Sequence, residues 1–194
     1  IMQEMKKDGI ENVRAEEVMV PKWVRGEESA KMVKPWSKNL AMLGLGGSIG
    51  TKSNGITAKV IAVSNFEELA NRSNEVKGKI VLFNVPFNTY SNTVKYRVRG
   101  AIEASKHGAV ASLVRSVGTF SMNTPHTGNS SYEDGVKKIP HAAITIEDAA
   151  MIGRMLENGQ DVEVNLKMEA QNYPDVLSHN VVGEIIGSEF PDQV

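Results

Sequence analysis

The chain contains no cysteine among its 194 residues. This absence excludes disulfide bonds, thiolate catalysis and every metal site built on cysteine ligands. It does not assign the protein to a compartment, because a chain of this length can bury a core that needs no covalent cross-links. Any chemistry in this chain must therefore use other side chains.

An excess of one charge and long apolar runs are also lacking. Lys and Arg number 22 against 23 Asp and Glu, which gives a net charge of -1. Such a chain has no basic surplus for binding phosphate backbones. The longest apolar stretches, such as Ala58–Val63 with Lys59 inside it, are far too short to cross a membrane. We therefore expect no nucleic-acid partner and no membrane span.

The composition is otherwise that of a soluble globular protein, with 41% hydrophobic and 23% charged residues. Ile1 is not a natural first residue, so we expect the chain to be a piece of a longer protein. No signal peptide is visible, but in a clipped chain this gives no information about secretion.

A strand, a helix and a second strand follow one another closely in the middle of the chain. Lys79–Val85 is typical of a strand buried on both faces, and Ala109–Arg115 is again apolar. Between them, Val94–His107 has helical periodicity and is followed by Gly108. Strands connected in this way are parallel. We expect an α/β (α+β) fold with a mixed β-sheet core and flanking helices.

Further elements surround this unit. Short strands, a helix and a cleanly alternating strand are predicted at Ile56–Val63, Ile139–Thr145, Glu147–Glu157 and Val162–Met168. Ser64 and Glu67 predict a capping box. Val94, Val98, Ile102 and Ala101 are expected on one buried stripe of the central helix. The charged segment Gly26–Lys38 predicts a loop.

Two more strands are predicted near the ends of the chain. Val13–Pro21 alternates and is expected to end at Pro21, and His179–Ile186 is apolar. Between the last two strands, Asn172–Ser178 contains Pro174 and is expected to interrupt the pattern.

The stretch Gly46–Gly50 matches the serine-hydrolase pattern G-x-S-x-G, with Ser48 at its centre. That chemistry needs the serine on a strand-to-helix turn, and Thr51–Gly55 predicts a turn with no helix. A dinucleotide fingerprint also fails, because the third glycine comes one position late and no helix end is available for a pyrophosphate. We interpret the glycines as turn residues and expect Ser48 to be replaceable without effect on the fold.

The four histidines are scattered at His107, His126, His141 and His179, without an H-E-x-x-H pattern. His126 lies in a long polar loop, Ser116–Lys138, and loops of that length are often functional. It is therefore the histidine most suited to contact a ligand. No catalytic constellation can be assembled from the residues alone.

Three segments in the middle of the chain resemble the core signature of protease-associated domains. They are Gly78–Leu82, Gly100–Ala104 and Gly108–Leu113, and the later segment Ile139–Ala149 resembles the second landmark of that family. Longer segments are similar to the plasma glutamate carboxypeptidase (carboxypeptidase Q) family, namely Pro21–Ala30, Leu43–Thr51, Thr93–Arg97 and Ser121–Gly128. The likeness covers nearly the whole chain.

Members of that family are secreted or lysosomal peptidases with two zinc ions that act on dipeptides and small peptides. The resemblance implies that residues 24–177 form a protease-associated domain inserted into a catalytic domain. Residues 1–23 and 178–194 would then be the first strands of the catalytic domain, forming a small two-stranded appendage. An inserted domain leaves and re-enters its host at nearby points, so Val13–Pro21 and His179–Ile186 should lie side by side.

The resemblance places no catalytic residue and no metal ligand on this chain, because the zinc ligands are expected beyond Val194. The segment alone is expected to be inactive and to hold no cofactor, whereas two zinc ions are implied for the parent enzyme. The long loop is expected to face the substrate, with His126, Thr127, Gly128 and Tyr132 as its candidate contact residues.

The expected partners are the remainder of the catalytic domain and small peptides, and a homodimer is left open. The sequons at Asn71 and Asn129 are candidate N-glycosylation sites in a secreted protein. Two alternatives remain. One is a free-standing protease-associated module for binding or sorting, and the other is a serine hydrolase that uses Ser48.

Overall fold

The computed structural model describes residues 1–120 and 122–191, and the chain divides into two compact units. One contains residues 1–22 and the chain from Tyr173 onward, and the other contains residues 23–172. In chain order the elements are α1 (Met2–Lys7), β1 (Glu11–Val24), β2 (Glu28–Lys34), β3 (Lys38–Leu40), β4 (Met42–Gly44), β5 (Ile56–Val63), α2 (Phe66–Asn71), a 3₁₀ turn (Ser73–Glu75), β6 (Ile80–Phe83), α3 (Tyr90–Lys106), β7 (Ala111–Arg115), β8 (His141–Ile144), α4 (Ile146–Glu157), β9 (Glu163–Met168) and β10 (Gln171–Glu184).

A mixed sheet forms the larger unit. Among the described residues it has eight strands in the order β3-β2-β9-β5-β6-β7-β8-β4. Strands β5, β6, β7 and β8 are parallel, and the other pairings are antiparallel. The predicted parallel pairing of β6 and β7 across α3 is confirmed, and so is the α/β (α+β) class with a mixed sheet and flanking helices.

The two faces of this sheet are packed by different helices. In β6, where every residue is buried, Ile80 and Leu82 face the layer that contains α4, whereas Val81 and Phe83 face the layer that contains α2 and α3. Burial of one large apolar side chain contributes about 1.5–3 kcal/mol to stability. Strand β6, which is covered on both faces, accordingly carries only apolar residues.

The buried face of α3 agrees only in part with the predicted one. Val94 and Val98 are only half-buried, whereas Tyr96, Arg97 and Gly100 are buried. Ile102, which belongs to the same predicted stripe, is buried. The prediction is therefore confirmed for the C-terminal half of α3 and wrong for the N-terminal half.

The predicted capping box is displaced by one residue. Asn65, not Ser64, is the N-cap of α2, and its side-chain oxygen accepts the N–H of Glu68 at 2.7 Å. The Glu68 carboxylate then accepts the N–H of Ser64 at 2.7 Å. The two reciprocal hydrogen bonds of a capping box are therefore formed by the side chains of Asn65 and Glu68 instead of Ser64 and Glu67.

Two predicted irregular segments are wrong. Gly26–Lys38 contains strand β2, in which Ala30 and Met32 are buried while their charged neighbours point outward. Asn172–Ser178 lies within β10. Charged residues in the first segment and Pro174 in the second are typical of loops. However, β2 has an exposed face for its charges, and β10 tolerates proline because it belongs to a two-stranded sheet.

The predicted pairing of the terminal strands is confirmed, since β1 and β10 form a separate two-stranded sheet. At one end Arg14 Nη1 lies 3.0 Å from Glu184 Oε1, and at the other end the Lys22 ammonium lies 5.3 Å from the centre of the Tyr173 ring. The strands are therefore antiparallel. Strand β1 continues through Pro21, contrary to expectation, because in a two-stranded ribbon every second N–H has no ladder partner to lose.

Candidate functional site

The long loop Ser116–Lys138 is anchored at its start by one hydroxyl group. Ser116 Oγ is buried, donates to the carbonyl of Ile144 at 2.7 Å and accepts the backbone N–H of His126 at 2.8 Å. The loop thus returns to the end of β7 by residue 126. The side chains of His126 and Thr127 are exposed there.

The next residues of the loop pair with the glycine-rich turn that follows β4. The Gly46 N–H donates to Gly128 O at 2.8 Å, and the Ser130 N–H donates to Gly46 O at 2.9 Å. Gly46 and Asn129 form a parallel β-bridge, and the Asn129 side chain occupies the space that a β-carbon at Gly46 would need. A side chain at position 46 would therefore displace the Asn129 side chain, whereas the nearest backbone atom, Gly128 O, would lie at an ordinary contact distance of 3.6 Å.

Arg97 of α3 lies beneath the same part of the loop. Its Nη1 donates to Thr127 O at 3.3 Å, and its Nη2 donates to the Tyr90 hydroxyl at 2.7 Å. The side chain of Arg97 also lies over the Tyr90 ring, with Cζ 5.5 Å from the centroid. Two of the predicted contact residues, Thr127 and Gly128, are thereby brought together with a cation.

Tyr132, the fourth predicted contact residue, secures the end of this segment. Its hydroxyl donates to Ile139 O at 2.6 Å and accepts the N–H of Ile49 at 3.2 Å. Burial raises the pKa of Tyr132. The hydroxyl group is thus committed to holding the loop against the Gly46–Gly50 turn, whereas His126 and Thr127 remain exposed.

Sequence reasoning did not select Arg97 or Tyr90. The sequence offers only the helical spacing of Thr93, Arg97 and Ala101, and their burial is seen only in the folded chain. A cation at the centre of a buried helical stripe is uncommon unless it has a specific partner.

Ser48 has no arrangement suited to a nucleophile. It is fully buried, and its hydroxyl accepts the backbone N–H of His141 at 2.9 Å while donating to Ile49 O at 3.2 Å. Serine catalysis requires a base at the hydroxyl and access for the substrate. The serine-hydrolase alternative therefore finds no support in the geometry.

His141 is buried, and its imidazole points away from Ser48. Its Nδ1 lies 3.1 Å from Ser112 O and its Nε2 lies 3.0 Å from Arg97 O. Burial lowers the pKa of His141 to about 4, although the carbonyl groups around the ring raise it. A neutral imidazole carries one N–H, so only one of the two contacts is a hydrogen bond at a time. His141 is a structural residue linking β7, β8 and α3.

Metal-binding clusters and membrane-spanning helices are two further kinds of functional feature. Within residues 1–120 and 122–191, no group of three or more His, Asp or Glu side chains is placed to hold a metal ion. In the same part of the chain, every helix is too short or too polar to cross a lipid bilayer.

Both sequons are on the surface. Asn71 is the last residue of α2, Asn129 lies in the loop segment that pairs with Gly46, and both are exposed. Either asparagine is accessible to a glycan in the folded chain.

Known proteins resemble this chain in sequence and in fold. No protein-family model matches the chain. Human carboxypeptidase Q is 53% identical over 192 residues, which cover 99% of this chain and 41% of that protein. This chain is homologous to carboxypeptidase Q. It spans about two fifths of the length of the curated relatives that it matches.

Solved structures share the fold of this chain. The peptidase M28 precursor of Shewanella amazonensis has a TM-score of 0.91 and 32% identity, covering 96% of this chain and 44% of that one. A zinc aminopeptidase from Bacillus subtilis has a TM-score of 0.64, covers 97% of this chain and 40% of its own, and shares the fold at 20% identity. The resemblance to carboxypeptidase Q inferred from the sequence is confirmed.

Proposed function

We propose that this chain is the non-catalytic, protease-associated segment of a di-zinc exopeptidase of the carboxypeptidase or dipeptidase type. In this proposal the segment restricts which small peptides reach the active site. The observation that carries it is the 53% identity with human carboxypeptidase Q over 99% of this chain, which accounts for only 41% of that protein.

The domain assignment is part of the proposal. Residues 24–177 would be the protease-associated domain, and residues 1–23 and 178–194 would belong to the catalytic domain. Supporting it, β1 and β10 pair only with each other among the described residues, although nearly the whole larger unit lies between them in sequence. Such a ribbon is marginal without a packed face. It also leaves Met19 57% and Leu177 54% exposed, which suits a ribbon covered by further chain.

The two zinc ions do not fit the residues of this segment. Zinc is held by three or four converging nitrogen, oxygen or sulfur ligands, and the described residues offer no such group. We therefore assign zinc binding to the part of the parent enzyme outside this chain. The zinc aminopeptidase among the structural neighbours supports zinc as the metal.

The long loop is proposed as the wall that faces the substrate. His126 and Thr127 are exposed on it, and backbone hydrogen bonds of Gly46 with Gly128 and Ser130 attach this segment to the glycine-rich turn. An exposed segment that is attached in this way is suited to limiting the size of a peptide. Tyr132 supports the wall from below through its two backbone contacts.

Secretion or delivery to the lysosome follows from the same proposal. Exposed sequons at Asn71 and Asn129 are compatible with a glycoprotein. The partners would be the rest of the catalytic domain and small peptides, with no nucleic acid and no membrane, and a homodimer is left open.

The alternative function is a free-standing protease-associated module that serves binding or sorting. It makes no use of β1 and β10, whose apolar residues would stay exposed. A fragment of residues 24–177 that is as stable as the whole chain, and a parent protein without peptidase activity, would favour this alternative.

Activity and metal content test the proposal directly. We expect the purified, chelator-washed chain to contain no stoichiometric zinc and to hydrolyse no dipeptide. When the chain is joined to the missing part of a carboxypeptidase Q, dipeptide hydrolysis should appear. Replacing residues 126–131 by a short glycine-serine linker should then raise the relative rate on longer peptides. Zinc bound by the chain alone, or an unchanged length preference, would contradict the proposal.

A further inference from the structure

The buried charge of Arg97 has no counter-ion among the residues that the structure describes. The side chain is 7% exposed, and no carboxylate of the described chain lies within 4.0 Å of its guanidinium. By contrast Arg99, two residues along the same helix, pairs with Glu103 and Glu133 at 3.0 and 3.2 Å. An unpaired buried cation is costly, because it has lost water without gaining an anion.

The hydrogen-bond donors of Arg97 are mostly unused. A guanidinium has five N–H donors, and the two contacts of Arg97 are with Thr127 O and the Tyr90 hydroxyl. Its Nε is buried and has no partner among the described residues. The arginine therefore holds the loop and still has donors for another acceptor.

The Tyr90 side chain connects the buried guanidinium of Arg97 to the protein surface. Its oxygen accepts from Arg97 Nη2 at 2.7 Å, so its own O–H is left to donate elsewhere, and the residue is 51% exposed. The cation polarises the hydroxyl and makes it a stronger donor. Gly128 adds no side chain to this place, because a β-carbon there would lie 2.5 Å from Arg97 Cζ.

We propose that Arg97 and Tyr90 form a carboxylate-binding site beside Thr127 and Gly128, and that it takes the free carboxylate of a small peptide. The inference rests on the proposed function, in which this loop segment faces the substrate. A carboxylate supplies the missing negative charge, and its two oxygens match the directional donors of a guanidinium and a hydroxyl group. Arginine suits this role better than lysine because its donors are held in one plane.

Binding to the isolated 194-residue chain tests this inference without any need for peptidase activity. The probes are glycylglycine, its C-terminal amide and acetate, followed by the NMR signals of the Tyr90 and Thr127 amides and of Arg97 Nε. We expect saturable shifts with glycylglycine and none with the amide. Failure of the proposed function would instead appear as an inactive reconstituted enzyme, so the two outcomes are separable.

Variants identify the residues responsible. Tyr90→Phe keeps the ring over Arg97 but removes the hydroxyl, and we expect it to weaken glycylglycine binding about tenfold or more, as does loss of a hydrogen bond to a charged group. Arg97→Lys should weaken binding at least as much, and Arg99→Lys is the matched control that should bind like the original chain. Melting temperatures show whether each variant is folded, and Tyr90→Phe decides the question if Arg97→Lys unfolds.

Four results would overturn the inference. Three of them are equal shifts with the amide, an absence of shifts, and unchanged binding by Tyr90→Phe. If acetate binds as tightly as glycylglycine, the site takes small anions generally and the assignment to a peptide carboxylate is wrong.

Discussion

Gly128 packs directly against the guanidinium of Arg97, and a β-carbon at position 128 would lie 2.5 Å from Cζ. The Gly128 carbonyl also accepts the Gly46 N–H at 2.8 Å, so the backbone has little freedom to retreat. The close contact thus depends on glycine for its lack of a side chain.

Gly128→Ala is therefore expected to destabilise the chain by about 1–3 kcal/mol through overpacking. Urea unfolding of the two proteins measures the difference. Gly118→Ala in the same loop is the control, because its β-carbon would meet no atom closer than 3.7 Å. Equal stability of Gly128→Ala and the original chain would show that the Arg97 guanidinium or the loop shifts at no cost to make room.

Ser48→Ala is expected to lower stability, contrary to the expectation from the sequence that this serine is replaceable. The change leaves the buried N–H of His141 without the acceptor that lies 2.9 Å away. An unsatisfied buried donor costs about 1–3 kcal/mol. Thermal or urea unfolding measures this loss, and a fluorophosphonate probe should leave Ser48 of the original chain unlabelled. Covalent labelling would instead revive the hydrolase alternative.

Stability should fall as the pH is lowered, partly through His141. Burial lowers the pKa of this histidine in the folded chain to about 4, whereas an unfolded histidine has a pKa of about 6.5. Between these values the unfolded chain binds a proton that the folded chain excludes, so the folded state loses about 3 kcal/mol from pH 6.5 to pH 4. Above pH 6.5 this contribution is constant.

His141→Gln removes the titrating group and should give a shallower decline of unfolding free energy between pH 6.5 and 4. Urea midpoints at several pH values compare the two slopes. His107→Gln is the control, since His107 is partly exposed at the end of α3 and lacks the buried surroundings of His141. A slope unchanged by His141→Gln would mean that the imidazole is protonated in the folded chain.

Hydrogen exchange should be fast in β1 and β10 and slow in β6 and β7. The terminal strands pair only with each other among the described residues, whereas β6 and β7 lie inside the sheet and are almost wholly buried. Two-stranded ribbons open easily without a packed face. Mass spectrometry of peptic fragments resolves these regions. Equal protection in both regions would mean that the ribbon is stabilised by contacts of another kind.

The elements with a strong local pattern were predictable from the sequence. The alternation in Val162–Met168 places Val162, Val164, Leu166 and Met168 in the core, as expected for a strand covered on one face. The strand, helix, strand unit around α3 was predictable for a similar reason, because its periodicity changes from strand to helix and back within a short stretch.

The remaining features of the fold and of the candidate site depend on packing between residues that are far apart in the sequence. Strand β2 pairs with β9 and β3, and in this position Ala30 and Met32 are buried. The charged residues beside them in the sequence do not indicate which strands β2 will pair with. The contact of Arg97 with Thr127 joins residues 30 positions apart. Local periodicity shows which face of a helix or strand is apolar. The contacts of a buried cation and the position of a loop depend instead on which backbone segments the folded chain brings together.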